Sequence, residues 1–309
     1  MKNNPKVSIL CLTYNHEKYI EQALNSFISQ KTIFNFEVLV HDDASTDKTI
    51  EIIKKYQKKY PNIIRPIFQD KNQFSKKNCD LFSKYLIPHA KGKYFAICEG
   101  DDYWSNSNKL QIAVDTLDNN PDCIMFVHNT IVQRLNNKEL LVKLNPKYID
   151  NKFSLANSIY THTSARVFRK MERLPPGDIF QYHYLLSKGL CYYHNKPMSV
   201  YRYNESGIWS SISQEQQKRN NIKCLYLLNI FFKWKYNDYY LSQMPYEINY
   251  YKEKFPKKNS YWIAYLISQK YTLSEMLNYE AKYIKIPIID IILWKIFEII
   301  PIKITIPNN

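Results

Sequence analysis

The chain has 309 residues, 45% hydrophobic and 15% aromatic, enough apolar material for one large core or a core with an appendage, and too much for a disordered chain. Five glycines exclude collagen-like and glycine-rich low-complexity designs. The net charge of +15 is uneven: residues 1–130 carry 17 Lys/Arg against 15 Asp/Glu, and residues 131–309 carry 26 against 13, which points to an anionic partner for the second half (nucleic acid, lipid head groups or a phosphorylated substrate) or to a plain solvated surface.

The first 130 residues alternate strand and helix signals. Val7–Thr13 is a β-branched apolar run, read as a buried strand. A helix is expected over 17–30, where Ile20, Ala23, Leu24, Phe27 and Ile28 repeat at helical spacing. Residues 36–40 form a second strand that ends in His41-Asp42-Asp43. Ser45 or Thr46 is expected to cap a helix over 47–60, with Asp47 in its first turn and Lys54, Lys55, Lys58 and Lys59 toward its end. Residues 63–68 read as a third strand, placed at an edge or bulged by Pro66. A third helix is expected over 79–89, and a fourth strand over 93–98 runs into Glu99-Gly100-Asp101-Asp102. Farther on, 164–168 reads as a strand, 178–188 as a helix stopped by Gly189, and 190–203 as a strand pair broken at Pro197. From about Gln214 the composition turns to long, aromatic, lysine-rich helical segments, with 225–232 and 262–267 as apolar stretches.

Alternating strands and helices with short connections imply a parallel sheet covered on both faces, whose ligands bind beyond the carboxyl ends of the strands. Two strands, read as neighbours, end in acidic doublets, Asp42-Asp43 and Asp101-Asp102. Such carboxylates offer hard oxygen ligands to Mg²⁺ or Mn²⁺, which would neutralise a diphosphate; helix-capping turns are the alternative. Other designs are excluded by what is missing. The glycines (92, 100, 177, 189 and 207) form neither a G-x-G-x-x-G nor a P-loop nor a G-x-S-x-G elbow. No His-x-x-x-His pair suits a zinc hydrolase. None of the six cysteines forms a C-x-x-C pair, so reduced buried thiols are expected. The N-terminus lacks a signal-peptide pattern and no run of roughly eighteen apolar residues exists, so the expected compartment is the cytosol.

Val7 to Asn15 (VSILCLTYN), Val40 to Asp47 (VHDDASTD) and Cys98 to Trp104 (CEGDDYW), followed by Lys109-Leu110-Gln111, resemble in order and spacing the inverting nucleotide-sugar glycosyltransferase family that includes the cellulose, hyaluronan and chondroitin synthases, in its bacterial surface-glycan form. The resemblance covers about residues 5–213. It implies an α/β fold of GT-A (Rossmann-like) type, a mostly parallel sheet flanked by helices, as a catalytic domain over 1–213. A helical, basic, aromatic-rich C-terminal extension over 214–309 follows.

Carried over residue by residue, the resemblance implies that Thr13, Tyr14, Asn15 and Glu17 line the donor nucleotide. Asp43, with Asp42 beside it, matches the carboxylate that contacts base or ribose. Asp101 and Asp102 match the metal motif for Mn²⁺ or Mg²⁺, with Glu99 where relatives carry Asp. Arg202 stands near the diphosphate, and Asn204 replaces a His common in relatives. Asp178, after Leu174-Pro175-Pro176-Gly177 at a helix start, occupies the place of the catalytic base, where the helix dipole favours its ionised form; a plain capping role is the alternative, and Glu205 is the next candidate base. The implied reaction is a single inverting displacement from a nucleoside diphosphate sugar, a UDP-sugar first, of hexosyl or N-acetylhexosaminyl type, to a hydroxyl of a glycan or lipid-linked glycan. The segment 286–302, apolar except for Asp290, Lys295 and Glu298, is expected to lie on an anionic membrane surface, with Trp294, Lys282, Lys285 and Lys303 as anchors, or to pack on the catalytic domain. A basic nucleic-acid-binding protein and a non-catalytic glycan-binding relative are the competing readings. The near-neutral first half and the missing nucleic-acid motifs weigh against the former, and intact Asp101, Asp102 and Asp178 against the latter.

Overall fold

A computed structural model describes residues 4–75, 80–134, 139–142, 152–155, 161–203, 207, 211–233 and 235–243. Asn204, Glu205, the 262–267 stretch and the whole 282–309 tail lie outside the described residues. The chain divides into two compact units, Met1–Ser210 and Ser211–Asn309.

The first unit is built on one sheet. Its strands are β1 (Val7–Thr13), β2 (Phe36–Asp42), β3 (Ile64–Phe68), β4 (Tyr94–Ile97), β5 (Tyr103–Trp104), β6 (Cys123–Gln133), β7 (Glu139–Val142), β8 (Lys152–Phe153), β9 (Val167–Arg169) and β10 (Leu190–Arg202). They are ordered β3-β2-β1-β4-β9-β6-β10-β5, with β7 on β6 and β8 on β10. From β3 to β4 every pairing is parallel. Beyond β4 the sheet is mixed: β9 runs antiparallel to both neighbours, while the long β6–β10 ladder is parallel. The helices are α1 (Ile20–Ile28), α2 (Thr49–Lys59), α3 (Lys109–Asn119) and α4 (Asp178–Leu186).

The core follows from the periodicities. β1 lies between two strands, so Val7, Ile9, Leu10 and Cys11 are all fully buried. α1 buries Ile20, Ala23, Leu24 and Phe27, and Phe27 meets Trp104 edge-on at 4.9 Å. β3 is the edge strand that Pro66 called for.

Five expectations change. Helix 79–89 becomes a π-helical turn, Phe82–Leu86, and a 3₁₀ turn, Ile87–His89, because Pro88 cannot supply the amide a continuing α-helix needs. Ser45 and Thr46 do not cap α2; Asp47 Oδ1 accepts the Thr49 amide at 2.9 Å, and Ser45 turns back to Asp42. Residues 163–165 form a 3₁₀ turn before β9. The expected strand pair over 190–203 is the single strand β10, whose register against β6 shifts on both sides of Pro197, as a residue without an amide requires. The two doublet-bearing strands, β2 and β4, are not neighbours: β1 separates them.

Among its described residues, the second unit contains α5 (Gln214–Phe231) and α6 (Asn237–Ser242). Phe232 meets Phe231 and Tyr236 edge-on at 4.9 and 5.3 Å. Among the described residues, no helix is long and apolar enough to cross a membrane.

Candidate active site

The loops leaving β1 and β2 hold each other. Asn15, with a left-handed φ of 55°, donates its amide to Ser45 Oγ at 2.9 Å, and its Oδ1 accepts the Thr46 amide at 2.8 Å. The Glu17 amide donates to Asp47 Oδ2 and Glu17 Oε2 accepts the Lys48 amide, both at 3.0 Å. The His16 amide donates to Thr49 Oγ1 at 2.8 Å. Asn15 and Glu17 thus brace the strand exits as mutual caps. Tyr14 is 44% exposed at the same exit, and Thr13 is buried, its Oγ1 unpartnered among the described residues.

The first acidic doublet faces inward. Asp42 accepts the Ser45 amide at 2.9 Å and the Ser45 hydroxyl at 2.6 Å; burial pushes its carboxyl up while those bonds oppose the rise. Asp43 is 2% exposed; its two oxygens accept the amides of Gln73 and Phe74 at 2.8 and 2.9 Å. Between the doublet and Ser45, Ala44 adopts φ 65°, a conformation that costs a non-glycine residue energy and that Asp42 and Asp43 hold from both sides.

The second doublet follows β4. The Gly100 amide donates to Leu12 O at 2.9 Å, bringing this loop against the end of β1. A Cβ on Gly100 would stand 2.7 Å from Thr13 Oγ1 and 3.0 Å from His16 Nδ1, so only glycine fits. Glu99 accepts the Thr163 hydroxyl at 2.6 Å. Burial drives its carboxyl up to about 7 against that hydrogen bond. Asp102 is 2% exposed and its Oδ1 accepts the Arg202 amide at 3.0 Å; burial, then Asp101 and Glu99, raise its carboxyl well above the usual range. Asp101 is the open member: its side chain is 25% exposed and its Oδ2 lies 3.9 Å from His16 Nε2. Arg202 donates to the Asp101 carbonyl and to Gln22, with its guanidinium 5.2 and 4.5 Å from the ring centres of Tyr19 and Tyr103.

Asp178 is the first residue of α4, after Gly177 with φ 84°. It is exposed, and its Oδ1 accepts the Ile179 amide at 2.8 Å. Tyr201 stands on β10. Its ring stacks on His162 at 4.5 Å. Its phenol is pushed up to about 12, by burial first and then by Asp102, Asp101, Glu99 and Asp178. Hydrogen bonds link the acidic loop to the start of α4: Thr163 donates to Glu99, and Arg166, just past the same turn, donates to the Asp178 carbonyl at 2.9 Å, while Asp42, Asp43, Asn15 and Glu17 are occupied in holding loops. Tyr201 lies in the segment Met198 to Tyr203, which also resembles the family, whereas His162, Thr163 and His16 have no motif of their own in the sequence, and only the sheet order and the 3₁₀ turn bring them to this place.

Lys109, of the Lys-Leu-Gln element, is fully buried. It donates to Ser164 O, its ammonium lies 4.2 Å from the Trp104 ring centre, and burial lowers it to about 7. Among the described residues, no three His, Cys, Asp or Glu side chains gather as a metal cage.

Comparison with known proteins agrees with this architecture. An uncharacterized protein of Mycobacterium tuberculosis is 42% identical over 122 residues, 40% of this chain and 34% of that protein. The Staphylococcus aureus poly(ribitol-phosphate) β-N-acetylglucosaminyltransferase TarS is 31% identical over 125 residues, 40% of this chain and 20% of TarS. The matched stretch is thus about a third of the mycobacterial protein and a fifth of TarS. Among solved structures, TarS 1–349 in complex with UDP-GlcNAc superposes with a TM-score of 0.55 at 20% identity, over 88% of this chain and 81% of that one. A Pyrobaculum calidifontis mannosyltransferase in complex with GDP-Man and Mn²⁺ gives 0.51 at 14% identity, over 96% and 81%. These likenesses establish the GT-A type of fold. The profile of the family described as Glycosyl transferase family 2 matches residues 8–173, more than half of the chain, and the chain belongs to that family.

Proposed function

We propose that the protein is an inverting glycosyltransferase that moves a hexosyl or N-acetylhexosaminyl group from a nucleoside diphosphate sugar, a UDP-sugar first, to a hydroxyl of a glycan or lipid-linked glycan. The observation that carries this reading is a family 2 fold in which the acidic loop Glu99 to Asp102 is tied through Thr163 and Arg166 to the start of α4, where Asp178 stands. The UDP-GlcNAc and GDP-Man of the TarS and mannosyltransferase complexes support a nucleotide-sugar donor.

The mechanism follows from the residues. Asp178, at the positive end of α4, takes the proton of the acceptor hydroxyl. The acceptor oxygen forms its bond to the anomeric carbon as the bond from that carbon to the diphosphate oxygen breaks; the diphosphate leaves with the electron pair from the opposite face, and the configuration inverts. One base suffices, unlike the two carboxylates of a glycosidase. Arg202, between Tyr19 and Tyr103, lends positive charge near Asp101, beside the place proposed for the diphosphate.

The carboxylates suit a hard divalent ion, Mn²⁺ or Mg²⁺. Such ions take one or two protein carboxylates and complete their shell with phosphate and water; Asp101 is open and Asp102 adjoins it. Asp101 and Asp102 would hold the ion, with Glu99 behind them on Thr163. The ion would offset charge growing on the leaving diphosphate. The basic C-terminal region, by its composition, suits a cytoplasmic protein docked on an anionic membrane surface; deleting 282–309 should then lower binding to phosphatidylglycerol vesicles, and unchanged binding would remove that part of the proposal.

The test is Asp178→Asn. Sugar transfer should fall at least ~10³-fold, while donor binding stays within about threefold of wild type, since an amide accepts no proton yet preserves the shape. Unchanged turnover would reassign the base.

A further inference from the structure

We propose that Arg166 is a positioning residue for the transfer step, setting where Asp178 stands relative to the acidic loop; this rests on the reading of Asp178 as the base. Arg166 is 1% exposed and, among the described residues, the largest of the fully buried side chains. Its Nε donates to Thr161 Oγ1 at 3.2 Å, its Nη2 to Thr161 O, and its Nη1 to the main-chain carbonyl of Asp178 at 2.9 Å. The guanidinium faces the Tyr182 ring, 5.0 Å from its centre, one turn into the same helix.

The segment that Arg166 closes touches Glu99, Tyr201 and the start of α4. Thr163 donates to Glu99, His162 stacks on Tyr201, and Arg166 extends the turn to the first residue of α4. A planar guanidinium donates in fixed directions, so its bonds to Thr161 and to the Asp178 carbonyl hold that carbonyl at a defined point relative to the turn. Burying a cation is expensive, and an apolar side chain of similar volume would pack there at lower cost. What an apolar side chain cannot do is hold a main-chain carbonyl at a defined point. For a base that must meet a hydroxyl at hydrogen-bond distance, that point matters, because a displacement of about 1 Å can cost ~10²-fold in rate.

The experiment compares the full-length wild type with Arg166→Met, Arg166→Lys, Thr161→Val and Asp178→Asn. The probe is whichever of UDP-GlcNAc, UDP-glucose and GDP-mannose gives the largest thermal shift with Mn²⁺, and the rate is nucleoside diphosphate release per donor-binding site, counted by titration. Arg166→Met should lower kcat about 100-fold with KM for the donor within about threefold. Arg166→Lys should recover only part of that, because a single ammonium cannot span the three acceptors. Thr161→Val, which removes one acceptor and keeps the charge, should lower kcat about threefold to tenfold. A merely structural role would reduce the number of donor-binding sites and leave kcat per site unchanged; that result overturns the proposal. Should Arg166→Met and Arg166→Lys fail to fold, a wild-type kcat in Thr161→Val overturns it equally. If Asp178→Asn keeps its turnover, or no nucleotide sugar binds, the underlying reading has failed. If Asp178→Asn is inactive while the Arg166 and Thr161 variants turn over normally, only the positioning role has failed.

Discussion

Asp43→Asn separates a loop-holding carboxylate from a donor ligand. Asp43 is 2% exposed, and its oxygens accept two main-chain amides, Gln73 at 2.8 Å and Phe74 at 2.9 Å. Hydrogen bonds to a charged acceptor contribute about 1.5–3 kcal/mol each, and a buried donor left unpaired costs about 1–3 kcal/mol. Asparagine keeps one acceptor oxygen and turns its NH₂ toward the other amide, so one bond is lost and the second loses its charge. The expected loss is about 2–4 kcal/mol, which for a unit of roughly 200 residues lowers Tm by about 5–15 °C. Calorimetry of the nucleotide-free protein reads this directly. An unchanged Tm with weakened nucleotide binding would mean that Asp43 serves the donor alone and that the loop bonds contribute nothing to stability.

Further perturbations test other parts of the structure. Gly100→Ala should destabilise by about 1–3 kcal/mol in urea unfolding, because the new methyl would stand 2.7 Å from Thr13 Oγ1; wild-type stability would contradict the close approach of this loop to β1. Asp118 accepts from Lys6, Lys93 and Tyr94, and although partial burial opposes it, those bonds hold its carboxyl below the usual range. Its contribution, about 1 kcal/mol at most for so exposed a group, should be present at pH 7 and vanish as pH falls through the lowered value, so Asp118→Asn and wild type should converge in acid. Lys109 is lowered to about 7 by burial, so between there and the ordinary lysine value near 10.4 the unfolded chain binds more protons and stability rises with pH. The stability difference between wild type and Lys109→Met should therefore move in favour of wild type, by something on the order of a few kcal/mol, between pH 7 and pH 10; a pH-independent difference would refute this.

β1, β2 and β4 were legible because each is a largely buried apolar run ending at a polar break, and Pro66 marked the half-buried β3 as an edge. The expected acidic loop is where β4 delivers it. β6 was harder to read, since His128, Asn129 and Thr130 interrupt its apolar pattern. They are buried all the same, with Asn129 bonded to Tyr193 and Asn195, and Thr130 to Ser199. Period and composition do not reveal such cross-strand pairing. The roles of Asn15 and Glu17 were similarly hidden: their partners are about 30 residues away, and only the parallel β1–β2 pairing brings the two exits together. Arg166 and Thr163 belong to no motif; their importance comes from a 3₁₀ turn placed between the acidic loop and α4.

The most direct test of the central claim is calorimetric titration of UDP-GlcNAc, UDP-glucose and GDP-mannose, each with and without Mn²⁺, into wild type, Asp101→Asn and Asp178→Asn. The account predicts saturable, Mn²⁺-dependent binding of one donor to wild type, weakened at least tenfold by Asp101→Asn and retained by Asp178→Asn. Absence of binding by every donor, or equal binding by all three proteins regardless of Mn²⁺, would contradict it.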